Sequence, residues 1–198
     1  MTETYNVHWY DAVMTAPDSL AMLPLEESPW LPVYEVLADM IPVHEEVVDL
    51  GCGTGRFIEL LRRRGHYARL MGIDWSSAAL EEALRYFDGP ATEPSFRLED
   101  LREWTPDLER AGNTVYVCSE VLEHLVDDID LVQRIPPGHR FLFTVPNFDS
   151  ESHVRVFTHV GDLWKRYAGE LRFRSWRIIG SDLKGIHVVE TVKREDAW

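Results

Sequence analysis

The sequence predicts an α/β fold in which a doubly wound, mostly parallel sheet of seven strands ends on an antiparallel strand. Three observations predict it. From residue 45 onward, short apolar runs alternate with amphipathic segments, the pattern of βαβ units with helices on both faces of a parallel sheet. One of those runs, Val47-Val48-Asp49-Leu50, leads straight into the glycine-rich turn Gly51-Cys52-Gly53-Thr54-Gly55. The last two runs, around Gly180 and Gly185, are joined by a loop too short for a crossover helix, so the final strand reverses direction.

Each element has its own local reason. Before residue 45, Pro17, Pro24, Pro29, Pro32 and Pro42 punctuate the chain. Residues 33–41 read as a helix with apolar positions 33, 36, 37, 40 and 41, stopped by Pro42. Residues 47–50 form the first strand, and 57–64 the first helix after it, with Gly65 at its C-terminal end. A second strand covers 68–74. Ser76 or Ser77 caps a helix with apolar residues at 80, 83, 84 and 87, which Gly89-Pro90 ends. Residues 95–99 and 114–118 give the third and fourth strands, and 121–135 a helix. Pro136-Pro137-Gly138 turns the chain into a fifth strand over 140–145. A helix over 159–168 precedes the closing strands 171–179 and 186–192.

Composition narrows the function. The chain has 198 residues, enough for one domain with a full core, and 45% apolar residues exclude global disorder. No apolar run approaches the roughly 18–20 residues of a membrane span, and the first residues show no signal-peptide pattern. Two cysteines make no disulfide framework, so a reducing cytoplasm is expected. Cys52 and Cys118 read as packing residues, and His44, His66, His139 and His187 as loop or strand-edge residues. The net charge is −14, and residues 1–50 hold ten acids with no Lys or Arg. Nucleic-acid binding ordinarily leaves a basic footprint, so this balance weighs against it. Nothing in the sequence sets an oligomeric state.

The glycine turn is the most informative run. Its glycines let backbone approach a ligand, and the helix N-terminus that follows offers free N–H groups. Asp74 ends the next strand, nineteen residues past Gly55, where a carboxylate can take both hydroxyls of a ribose. The G-x-G-x-G spacing after Asp49 differs from the G-x-G-x-x-G of nicotinamide-dependent oxidoreductases, which stand as the alternative from another class. It also lacks the G-K-[ST] ending of a phosphate loop.

The run DLGCGTGRF, followed by GID and SEVLEHL, resembles the class I S-adenosylmethionine-dependent methyltransferases over roughly residues 45–148. That resemblance implies the Rossmann-like methyltransferase fold and S-adenosylmethionine as cofactor. It places the methionine part of the cofactor on Asp49, Gly51, Cys52, Gly53 and Gly55, with Ser119 nearby. Asp74 takes the ribose, Trp75 lies next to the adenine, and Asp100 with Leu101 meets the adenine amino group. Residues 45–198 then form the cofactor-binding domain. Residues 1–44, with the aromatics Tyr5, Trp9, Tyr10 and Trp30, form a cap or lid.

After the fourth strand, Glu120, Glu123 and His124 are spaced i, i+3, i+4, which on a helix sets them on one face. Two carboxylates and an imidazole suit a divalent metal such as Mg or Mn, or a histidine base whose pKa its acidic neighbours raise. The run resembles the ubiquinone-biosynthesis type of O-methyltransferase. It also resembles the small-RNA 3′-terminal 2′-O-methyltransferases, in which such residues and a later His hold a metal. Glu120, Glu123, His124 and His153 match that pattern, His153 lying five residues before Thr158. The expected activity is therefore methyl transfer to a hydroxyl oxygen of a small molecule, with His124 and Glu120 catalytic. Asn147, His153 and Arg155 are expected to touch the acceptor. Methylation of an RNA 3′ end is the alternative within the same fold.

Overall fold

The structure, a computed structural model, describes residues 7–14, 16–87, 94–107, 113–181 and 184–195. Its centre is a seven-stranded sheet of β1 (Glu46–Leu50), β2 (Arg69–Asp74), β3 (Ser95–Leu98), β4 (Thr114–Ser119), β5 (Arg140–Pro146), β6 (Leu171–Gly180) and β7 (Gly185–Lys193). The order across the sheet is β3-β2-β1-β4-β5-β7-β6. Strands β1 to β5 pair in parallel, and β7 lies antiparallel between β5 and β6. The predicted class and the reversed last strand are thus both present. The order reverses at β1, between β2 and β4, so the carboxyl ends of β1 and β4 open a crevice there.

Helices α1 (Val7–Met14), α2 (Leu31–Met40), α3 (Arg56–Arg64), α4 (Ser77–Arg85), α5 (Asp128–Arg134) and α6 (Val160–Tyr167) surround the sheet. Gly65 ends α3 at φ +71°, and Ser76 caps α4 by accepting from the Ala79 N–H at 2.9 Å, both as the sequence predicts. The Gly89-Pro90 terminator lies outside the described residues. Two cores result. One face of the sheet packs Leu122, Leu131, Phe143, Leu163 and Tyr167. The other packs α2 and α3 through Val33, Leu37, Phe57, Ile58 and Leu61. Helix α2, which precedes the glycine turn, is therefore built into the sheet's own core.

Two local differences matter for the site. Between β3 and β4 no helix occurs among the described residues; Leu101 and Trp104 are buried there instead. The helix expected over 121–135 exists only as α5, and residues 121–127 run as turns. The cause is on the backbone. Glu120 sits at φ +57°, and the Arg155 guanidinium takes the carbonyls of Leu122, Leu125 and Val126. Carbonyls bonded sideways to a side chain are not serving the i→i−4 ladder of a helix.

Candidate active site

The glycine turn closes on its neighbouring strand through backbone donors. Gly51 and Cys52 both donate to the Ile73 carbonyl, at 2.8 and 3.0 Å. Gly51 has φ +82°, and a Cβ there would lie 2.4 Å from Val121 Cγ2, so any larger residue is excluded twice. Gly55, at φ +74°, is close-packed as well: a Cβ would meet Ala83 at 3.0 Å and the Phe96 ring at 3.2 Å.

Two buried carboxylates stand at this crevice. Asp74 accepts from the Gly53 N–H at 2.8 Å and from the Ser76 N–H at 2.9 Å, which ties the second strand end to the glycine turn. Burial raises the pKa of Asp74 to about 6 despite these donors, and burial together with Asp74 pushes Asp49 up to about 8. Asp74 lines a cavity of about 430 Å³, and Asp49 is buried at 2% exposure on β1, just before the glycine turn. A site where anions are held so reluctantly favours a cationic ligand, whose charge would return both acids to their ionised form.

The N-terminal segment covers this cavity. Trp9, Tyr10, Met14, Trp30 and Tyr34 line it; Tyr5 lies outside the described residues. Tyr10 packs on Trp75 with ring centroids 5.9 Å apart, and Ser76 Oγ donates to the Asp11 carboxylate. Thr54 Oγ1 donates to the Ala21 carbonyl at 2.7 Å, and Arg56 reaches the Met22 carbonyl at 3.3 Å. The N-terminal segment is thus fastened directly to the glycine turn. Asp100 and Leu101 line the cavity, with Arg102 bonded to the Asp100 carboxylate.

At the other end of the cavity stand Ser119, Glu120, Glu123, His124 and His153. Thr144, fully buried on β5, organises them. Its hydroxyl donates to Glu120 Oε1 at 2.9 Å, accepts from the Glu120 N–H at 3.1 Å, and lies 2.9 Å from Ser119 Oγ. Glu123 is 1% exposed, and both its carboxylate oxygens lack a hydrogen-bond partner. Burial and the nearby Glu120 push its pKa well up, while burial alone raises Glu120 to about 7. His124 Nδ1 lies 3.1 Å from the Ser152 carbonyl. A carbonyl only accepts, so Nδ1 carries the hydrogen and Nε2 is an open lone pair, 3.8 Å from Glu123 Oε1.

The expectation that acidic neighbours raise the His124 pKa is corrected here. Burial lowers it to about 4, and the neighbouring His153 adds to that effect. Ligand atoms of Glu123, His124 and His153 all lie within 4.8 Å of one another. The trio forms through turn geometry rather than a shared helix face, and Glu120 stands apart from it on Thr144.

Two residues expected at the acceptor are engaged elsewhere. Arg155 holds the 121–127 turn and pairs with the buried Asp128 at 3.3 Å. Asn147 bridges the β6–β7 turn, accepting from the Gly185 N–H at 2.7 Å and donating to the Ser181 carbonyl at 3.2 Å. His187, expected at a strand edge, is buried between Trp176 and the Phe157 carbonyl. Thr144, Met14 and the Ser152 carbonyl escape sequence reasoning. Thr144 is found only through its register opposite Ser119 across β4 and β5.

The chain is similar to known methyltransferases. A family model described as a methyltransferase domain matches residues 47–137. A trans-aconitate 2-methyltransferase of Streptomyces coelicolor is 36% identical over 137 residues, covering 64% of this chain and 44% of that protein. A ubiquinone biosynthesis O-methyltransferase of Coxiella burnetii is 26% identical over 121 residues, covering 59% and 49%. The chain spans about half the length of these curated relatives. Among solved structures, the N-methyltransferase NodS of Bradyrhizobium japonicum, bound to S-adenosylhomocysteine, superposes with a TM-score of 0.69 at 18% identity, over 97% of this chain and all of that one. At that identity the likeness is one of fold.

Proposed function

We propose, for a chain that carries a class I S-adenosylmethionine-dependent methyltransferase domain and fold, that it moves the cofactor's methyl group to a hydroxyl oxygen of a small molecule. The single observation that carries this reading is the open Nε2 of His124, a neutral imidazole lone pair in the cavity that Asp74 also lines. When bound, S-adenosylmethionine would supply an electrophilic sulfonium methyl for in-line displacement that leaves S-adenosylhomocysteine, and His124 Nε2 would accept the proton of the attacking hydroxyl. Asp49 and Asp74 would hold the cationic cofactor, and the N-terminal segment would exclude water.

Glu123, His124 and His153 also fit a divalent cation. The unpartnered buried oxygens of Glu123, the open Nε2 of His124 and the unpartnered Nδ1 of His153 are donors of the right kind. Such an ion would lower the pKa of a coordinated hydroxyl. His124 orients through Ser152 in either case.

A carboxylate acceptor is the second reading, because several relatives are named for trans-aconitate, a tricarboxylate. Against it, Arg56 is the one Lys or Arg lining the cavity among the described residues. Arg56 is already bonded to Glu59 and Met22 and stacked on Tyr86. The test follows S-adenosylhomocysteine release with a panel of phenols, aliphatic alcohols and trans-aconitate. Turnover confined to hydroxyl acceptors supports the proposal; turnover confined to trans-aconitate overturns it.

A further inference from the structure

A second cavity, of about 630 Å³, lies at the far end of the sheet from the glycine turn. It is lined by Arg140 at the start of β5, Arg172 and Arg174 near the start of β6, and Arg194 just after β7. The carboxyl end of β5 borders the active site, so six residue steps along that strand separate the two cavities by roughly 20 Å. The strand register gathers the charges. Arg140 lies opposite Val192, and Val192 opposite Arg172, so the three residues share one face across β5, β7 and β6. Arg174, two residues on from Arg172 and so on the same face of β6, lines the same cavity beside the register shift between Phe173 and Ser175.

The charges there do not cancel. Arg140 is bonded to Glu190 at 2.8 Å, and the Ser175 hydroxyl donates to the other Glu190 oxygen. Lys193 is paired with Glu170. The Arg194 side chain bonds the Ala168 carbonyl, a neutral acceptor, through Nε. Among the described residues, Arg172 and Arg174 have no hydrogen-bond or ion-pair partner, so with Arg194 three guanidinium groups stand at this cavity beside Glu195. In a chain of net charge −14, a cavity that gathers four arginines, three of them without an acidic partner among the described residues, is a local reversal of charge.

We propose that this cavity binds a phosphate-bearing small molecule. Guanidinium forks match phosphate oxygens bidentately, and a phosphate has enough oxygens to engage forks arriving from two strand positions and from the chain beyond β7. The cavity is larger than inorganic phosphate, leaving room for the organic part of a phosphomonoester.

The experiment titrates the full-length protein by calorimetry in low salt with inorganic phosphate, ribose 5-phosphate and a twelve-nucleotide RNA. Arg172→Gln/Arg174→Gln, two exposed positions, serves as the variant, and S-adenosylhomocysteine binding as the check on folding. The proposal expects saturable binding of ribose 5-phosphate, with inorganic phosphate weaker. It expects a loss of about tenfold or more in the variant and unchanged S-adenosylhomocysteine affinity. No saturable binding of either phosphate probe overturns it, as does a variant that binds like the wild type. Tightest binding by the RNA also overturns it, and identifies a nucleic-acid surface instead.

Discussion

His124 shows how one contact assigns a role. The Ser152 carbonyl fixes its tautomer, and burial holds it neutral, with a pKa near 4. A His124→Gln variant is expected to lose about 100-fold in kcat, the usual scale for a lost general base, with cofactor affinity within twofold of wild type. Unchanged kcat would remove His124 from the mechanism. Asp49 and Asp74 give a pH signature whose sign is set by their raised pKa values, about 8 and about 6. In the unliganded protein both bind protons more readily than in the unfolded chain. Their contribution therefore favours the fold at low pH and is lost as pH rises through 6 and then 8. A cation requires their ionised forms, so cofactor affinity is expected to rise over the same interval. Calorimetry across it checks this, and Asp49→Asn is expected to flatten the upper part. The sequence marks both acids by their places at strand ends, but burial, which shifts them, exists only in the fold.

At the scale of elements, the glycine turn and the 121–127 turn interlock, because Gly51 leaves the space that Val121 fills. Gly51→Ala is expected to abolish measurable cofactor binding and to destabilise the protein by about 1–3 kcal/mol from backbone strain. Adding Val121→Ala relieves the clash but not the positive φ, so rescue by the double variant should be partial. Arg155 is the other support of this turn and faces Asp128, which is fully buried. Arg155→Ala should cost about 3 kcal/mol in urea unfolding, since it strands carbonyls and half of a buried ion pair. A change under 0.5 kcal/mol would mean that Arg166, which also pairs with Asp128, suffices. The alternation of apolar runs made the strands and most helices legible. The 121–127 segment was not, because Leu122 and Leu125 keep helical spacing while tertiary bonds to Arg155 draw its carbonyls into turns.

Across the whole molecule, acids of the N-terminal segment pair with the last turn of α3, Glu26 with Arg63 and Asp39 with Arg64. Four arginines collect at the end of the sheet away from the glycine turn. If the N-terminal segment works as a lid, saturating S-adenosylhomocysteine should slow limited proteolysis within residues 7–30, and equal cleavage rates would refute that role. The sequence by itself determined the class of fold, the strand that carries the glycine turn and the acids that follow it. These depend on local periodicity and on residues whose backbone freedom or charge is readable one position at a time. Only the tertiary structure decided that Glu123, His124 and His153 meet, that Arg155 and Asn147 support the fold, and that four arginines share a distant cavity. Those outcomes depend on strand register and on which buried groups find partners, and both are set by contacts between residues far apart in the chain.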